Sequence, residues 1–187
     1  MILMNKTERI TIAGFGGQGV MTLGQIIAYA GAEMDLNSLW FPSYGPETRG
    51  GTANCAVTVS AQPINSPVFA KADVVMALNK PSLDRFCDKV ITGGKILYNS
   101  SLIEDLLKRE SIEMYGIPIN DIANELGNLR VANMVMLGAY LELSSLFTDE
   151  VVAKVLRDYL GKKKEDLLAI NLEAIKKGRK HISEGLK

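Results

Sequence analysis

The sequence predicts an α/β protein: a three-layer α/β/α sandwich with a mainly parallel sheet, mixed pairing allowed, and a helical C-terminal third, in a single domain over residues 1–187. Three observations carry this. A β-branched run feeds a glycine turn and then a helical pattern, further short apolar runs alternate with helical ones, and beyond Asn120 the periodicity is helical throughout.

Glu8 to Ala13 alternates as a strand should and runs into Gly14-Phe15-Gly16-Gly17-Gln18-Gly19. From Val20 to Ala32, Leu23, Ile26, Ile27 and Ala30 recur at helical spacing, with Gly31 near the end. Asn37 to Phe41 reads as a short second strand. Pro42 to Gly51 is dense in turn formers and reads as a specialised loop. Ala53–Ser60, Val74–Leu78 and Lys95–Asn99 follow as strands, with a short helix over Pro81–Phe86 and one more strand at Ile112–Tyr115, ended by Pro118. Helices are predicted over Asp121–Leu126, Val131–Leu146, Asp149–Leu160 and Glu165–Ile182.

Val131–Leu146 is apolar around most of its circumference, so it is expected to be buried on nearly all sides, a central core helix rather than a subunit contact. Met34, Met76, Met114, Met134 and Met136 read as core filler, and Lys162–Lys164 as a solvated helix start.

Twenty-one basic residues balance twenty-one acidic ones, so no global field draws in nucleic acid or an anionic membrane. Lys6, Glu8 and Arg9 interrupt the apolar first residues before a signal-peptide core can form, and the apolar run Val131–Leu143 is too short and too polar to span a bilayer. The expectation is a cytoplasmic protein with no membrane contact. Cys55 and Cys87 are the only cysteines, too few for an iron-sulfur cluster and too far apart for a Cys-x-x-Cys site.

Gly14-x-Gly16-x-x-Gly19, between a strand and a helix, matches the dinucleotide fingerprint in letters. Three readings are open: a nicotinamide or flavin nucleotide site in a stand-alone protein, a phosphate contact without dinucleotide recognition, or a tight turn with close helix packing. The acidic residue such a nucleotide site needs at the end of the second strand is missing, because Asp35 precedes that strand. A Walker loop is excluded, since no Gly-Lys-Ser/Thr closes the turn. The second candidate segment, Tyr44-Gly45-Pro46-Glu47-Thr48-Arg49-Gly50-Gly51, brings a phenol, a carboxylate and a guanidinium to one loop. It reads as a ligand or partner contact, against the alternative that Glu47 and Arg49 form only a surface ion pair.

Ile12–Val20 (IAGFGGQGV), Phe41–Cys55 (FPSYGPETRGGTANC), Asp73–Leu83 (DVVMALNKPSL) and Gly93–Leu102 (GGKILYNSSL) together resemble the gamma subunit of 2-oxoacid:ferredoxin oxidoreductases, and the loop is most similar to the 2-oxoglutarate branch. The resemblance implies CoA-dependent oxidative decarboxylation of a 2-oxoacid with electron transfer to ferredoxin. It implies partners, namely alpha and beta subunits, or alpha, beta and delta. Thiamine diphosphate and iron-sulfur clusters then belong to those partners, with coenzyme A as cosubstrate of the complex.

The residues agree with that division: there is no Gly-Asp-Gly thiamine motif, and the one histidine, His181, is expected at a solvated helix surface. No catalytic residue and no metal ligand is assigned to this chain. Gly14, Gly16, Gly17, Gln18, Gly19, Tyr44, Glu47, Arg49 and Gly50 are the candidate ligand or subunit contacts, with Arg49 the candidate for an anion such as the phosphates of coenzyme A.

Overall fold

The structure is a computed structural model that describes residues 7–44, 52–104, 110–144, 146–161 and 165–186; the expected helix start at Lys162–Lys164 lies outside them. The strands are β1 (Thr7–Phe15), β2 (Asn37–Tyr44), β3 (Thr52–Ser60), β4 (Ala72–Ala77), β5 (Val90–Asn99) and β6 (Glu113–Ile117). The helices are α1 (Val20–Glu33), α2 (Lys80–Phe86), α3 (Ile119–Glu125), α4 (Ala132–Leu143), α5 (Asp149–Leu160) and α6 (Glu165–Gly185).

All six strands form one sheet in the order β2-β3-β1-β4-β5-β6. The β1–β4, β4–β5 and β5–β6 pairings are parallel, as alternating strands and helices predict. β3 is antiparallel to both β1 and β2, so it wedges between two strands that run the same way. The sheet is therefore mixed at one end.

Phe41↔Ala56, Pro42↔Cys55, Ser43↔Asn54 and Tyr44↔Ala53 extend β2 to Tyr44, past the point where the sequence reads as a loop. Pro42 is tolerated because β2 is an edge strand. β5 likewise starts five residues before the predicted Lys95, across a register irregularity opposite Ala72/Val74.

Alternation along each strand divides the core in two. Ile10, Ile12, Cys55, Val57 and Val59 pack on one face, against α1, α4 and residues of α3, α5 and α6. Ala13, Val75, Ala77 and Ile96 face the other way, toward Leu83 and Phe86 of α2. The helix layers are thus unequal: α2 alone among the described helices covers the second face.

α4 is the central helix that the sequence predicts, with nine consecutive buried residues from Asn133 to Leu141. It is shorter than Val131–Leu146 because Ser144 turns to extended backbone. Its crossing with α6 is set by two glycines. A Cβ on Gly138 would stand 2.0 Å from the Ile175 carbonyl oxygen, and one on Gly178 would stand 2.0 Å from that of Val135. Each helix presses its backbone on the other.

α4 is also tied to β1 through a buried carboxylate. The Tyr140 hydroxyl donates to Glu8 Oε2 at 2.5 Å and the Ser144 hydroxyl donates to the same oxygen at 3.3 Å. Burial, and next the charge of Glu8, push the Tyr140 phenol well above its ordinary value. His181 differs from expectation. It is half-buried, with Nε2 3.0 Å from the Gly116 carbonyl oxygen, because α6 runs over β6.

Candidate functional site

The parallel strands β1, β4, β5 and β6 all end on the same edge, and on that edge the chain changes helix layer: α1 follows β1 on one face and α2 follows β4 on the other. Such a switch point is where open α/β sheets bind ligands in the crevice between two diverging loops. Here the crevice lies between the glycine turn after β1 and Leu78-Asn79 after β4.

The turn is held by its own glutamine. Gln18 Oε1 accepts from the Phe15 N–H at 2.7 Å and from Asn79 Nδ2 at 2.8 Å, while its Nε2 donates to the Leu78 carbonyl at 3.2 Å. Asn79 in turn caps α2 by accepting from the Ser82 N–H at 3.0 Å. Asn99, fully buried at the end of β5, donates to the Leu78 carbonyl and to Asn120 Oδ1, each at 3.2 Å. Its Oδ1 accepts from the Ser101 N–H at 3.1 Å, and the Ser101 hydroxyl donates to Asp121 at 2.9 Å. A chain of side-chain amides thus ties together the ends of β1, β4, β5 and β6.

The candidate glycines separate into two kinds. A Cβ on Gly14 would stand 2.8 Å from Gln18 Oε1, and one on Gly19 would stand 2.3 Å from Asn133 Nδ2. These two serve close packing, and Asn133 Nδ2 donates to the Gly19 carbonyl at 3.3 Å. Gly16 and Gly17 are exposed, with open space where a side chain would begin, and Gly17 has φ 97°. They form the free tip of the turn. Leu102, beyond β5, and Leu129, in the turn before α4, are about half exposed near the same ends of the sheet.

Asp35 sits in the turn between α1 and β2, at the opposite edge of the sheet, so it cannot serve a nucleotide held at the glycine turn. Gln18 bridges the crevice, and close packing accounts for Gly14 and Gly19 but not for the open Gly16 and Gly17.

Tyr44 ends β2, paired with Ala53, and Thr52 at the start of β3 pairs with Phe15 at the end of β1. The flanks of the second candidate loop therefore adjoin the glycine turn. Glu47, Arg49 and Gly50 themselves lie outside the described residues.

Cys55 is pushed up to about 12 by burial, opposed by its contact with Trp40, and its thiol donates to the Val20 carbonyl at 3.6 Å beneath α1. Among the described residues no group of His, Cys, Asp and Glu could hold a metal ion, and no helix is long and apolar enough to cross a membrane.

Sequence reasoning missed Asn79, Asn99, Asn120 and Asn133. The available signal was an asparagine placed just after, or at the end of, two successive parallel strands, in Leu78-Asn79 and Tyr98-Asn99.

Comparison with known proteins gives a consistent pattern. Residues 9–181 match the model of the pyruvate ferredoxin/flavodoxin oxidoreductase family. Ketoisovalerate oxidoreductase subunit VorA of Methanothermobacter thermautotrophicus is 38% identical over 178 residues, which cover 95% of this chain but 37% of that protein. The chain thus spans about a third of the length of such relatives. 2-Oxoglutarate synthase subunit KorC of Methanocaldococcus jannaschii is 36% identical, covering 91% of each chain.

Among solved structures, the 2-oxoglutarate:ferredoxin oxidoreductase of Magnetococcus marinus, with 2-oxoglutarate, coenzyme A and succinyl-CoA bound, superposes with a TM-score of 0.87 at 32% identity, over 96% of this chain and 31% of that one. The keto/oxoacid ferredoxin oxidoreductase gamma subunit of Geobacter sulfurreducens gives 0.79 at 28% identity, over 95% of this chain and 99% of that one. By sequence over nearly its whole length, and with a fold that agrees, the chain belongs to the pyruvate ferredoxin/flavodoxin oxidoreductase family.

Proposed function

We propose that this chain is the gamma subunit of a 2-oxoacid:ferredoxin oxidoreductase, supporting CoA-dependent oxidative decarboxylation that is carried out on companion alpha and beta subunits. The observation that carries the reading is the end-to-end similarity to a gamma subunit that exists as a separate polypeptide. The site supports it from below. Most of its polar groups are amides that satisfy one another, which suits a rigid docking edge. Thiamine diphosphate and the iron-sulfur clusters belong, on this reading, to the companions.

In this proposal the Gly16-Gly17 tip, flanked by Leu102 and Leu129, meets the catalytic subunits, and Arg49 reaches the phosphates of coenzyme A through its bidentate fork. Glu47, Tyr44 and Gly50 shape that loop. Support for Arg49 is chemical: a guanidinium suits a phosphate, and the loop flanks adjoin the glycine turn.

2-Oxoglutarate is the proposed substrate, favoured by the KorC relatives and the Magnetococcus structure. A second reading, ketoisovalerate, is favoured by the VorA relatives. Viologen reduction by the complex with each acid decides between them. Turnover with 2-oxoglutarate exceeding that with ketoisovalerate supports the first, and the reverse order replaces it with the second.

A further inference from the structure

The second face of the sheet is only half covered by the described residues. Ser38 and Trp40 of β2, and Cys55 and Val59 of β3, point at glycines of α1, so the alternate residues Leu39, Phe41, Ser43, Asn54, Ala56 and Thr58 point the other way. α2 lies over β4 and its neighbours, and among the described residues no helix covers this end of the sheet. The segment of residues 61–71 covers the Thr58 end, where Thr58 is 5% exposed; what remains open is the Asn54–Ala56 stretch of β3, with Phe41 43% exposed beside it.

Two depressions run along this face. One of about 290 Å³ is lined by Phe41, Ser43, Asn54, Ala56, Phe86 and Lys89. The other, of about 550 Å³, lies over Arg9, Thr58 and Lys71. Val68, 61% exposed, stands on the rim of both. An antiparallel sheet end can face water, but an open phenylalanine and an open valine on one rim suit a partner better than solvent.

The charge on the rim is mainly positive. Arg85 and Lys89 lie 5.4 and 5.2 Å from the centre of the Phe86 ring, and Lys71 is exposed farther along. Of the acids nearby, Asp73 accepts from the Arg9 backbone and Asp84 pairs with Lys80, while Asp88 lies between Arg85 and Lys89 in sequence. The longer relatives hold a similar domain as about a third of one polypeptide, so in them it is joined to further chain.

We infer that the outer face of β2 and β3, from Phe41 to the Arg85–Lys89 rim, docks an acidic segment of a companion polypeptide homologous to the remainder of those longer relatives. The inference rests on the subunit reading above and adds a second surface to it, distinct from the glycine-turn edge. Phe41 is the apolar anchor and Lys89 the steering charge.

The test is anaerobic affinity purification of the tagged full chain from its own cells, as wild type, Phe41→Ser and Lys89→Glu, with companions identified and quantified by mass spectrometry. Urea unfolding of each purified variant confirms that it is folded, and Lys89→Glu, on an exposed site, removes one contact with the Phe86 ring and no buried side chain. The expected result is a companion of the stated homology with wild type, reduced about tenfold or more in both variants. Undiminished companion in both folded variants overturns the docking face and leaves the subunit reading standing. Wild-type chain recovered without such a companion overturns both, and recovery of a second copy of this chain in its place assigns the face to self-association and overturns the inference.

Discussion

Asn79 donates its side-chain amide to Gln18 Oε1 at 2.8 Å, joining the cap of α2 to the turn that starts α1 across the point where the sheet changes helix layer. Gln18 also takes the Phe15 N–H and gives a hydrogen bond to Leu78, so one side chain serves three partners on two loops. Gln18→Leu, close in size, leaves the Phe15 N–H and the Asn79 amide without their acceptor. It is expected to destabilise the isolated chain by about 1–3 kcal/mol, read as a lower urea midpoint at unchanged slope.

The glycines of the fingerprint divide in the same physical terms. Gly16→Ala meets open space and is expected to change stability by less than about 0.5 kcal/mol. Gly19→Ala must enter a left-handed conformation, φ 77°, with Asn133 in the way, and is expected to cost more than about 1 kcal/mol. If Gly16→Ala nevertheless weakens companion binding in the assembled enzyme, the tip is a contact. Equal stability losses at both positions would contradict the division.

The Gly138–Gly178 crossing sets a stronger requirement. Either glycine to alanine drives a methyl into a backbone carbonyl 2.0 Å away, and no side-chain rotation relieves it. The helices must separate, at a cost of about 3 kcal/mol or more. Thermal unfolding followed by circular dichroism checks this, and a melting temperature within about two degrees of wild type would refute the close crossing.

Alkaline pH tests the buried ties. The Tyr140 phenol titrates well above its ordinary 10.0 in the folded chain, held neutral by burial and by Glu8. Cys55 is raised from 9.0 to about 12 by burial. Raised folded values mean that the folded chain keeps protons the unfolded chain releases. This stability is fully present below about pH 9 and is lost as the pH climbs from 9 toward 12. Cys55→Ala is expected to flatten the lower part of that decline and Tyr140→Phe the upper part. Tyr140→Phe also lowers stability at neutral pH by about 1–3 kcal/mol, because buried Glu8 loses its nearer donor.

Much of the fold was legible because local signals agreed with tertiary structure. The β1, glycine turn and α1 unit carried strand alternation, turn chemistry and helical spacing in sequence, and α4 announced its burial by being apolar all round. The antiparallel β3 was not legible as such, because strand period says nothing about direction or about which neighbours a strand separates. Pro42 was misleading for a definite reason: proline reads as a turn former, yet an edge strand has a side whose N–H groups need no partner. Gln18 was singled out as a contact, but its bracing role depends on Asn79, 61 residues away, and no local pattern announces that pairing. His181 was misread because its lysine-rich sequence surroundings hide the β6 edge beneath α6.

That this chain works as the gamma subunit of a 2-oxoacid:ferredoxin oxidoreductase is tested most directly in its own cells. The measurement is to purify the tagged chain anaerobically and assay the eluate for coenzyme A-dependent viologen reduction with 2-oxoglutarate, then with ketoisovalerate and pyruvate. The expected result is co-eluting, brown, thiamine-containing subunits with turnover that requires coenzyme A and is fastest with 2-oxoglutarate. A lone, colourless chain without activity toward any of the three acids would contradict the subunit role.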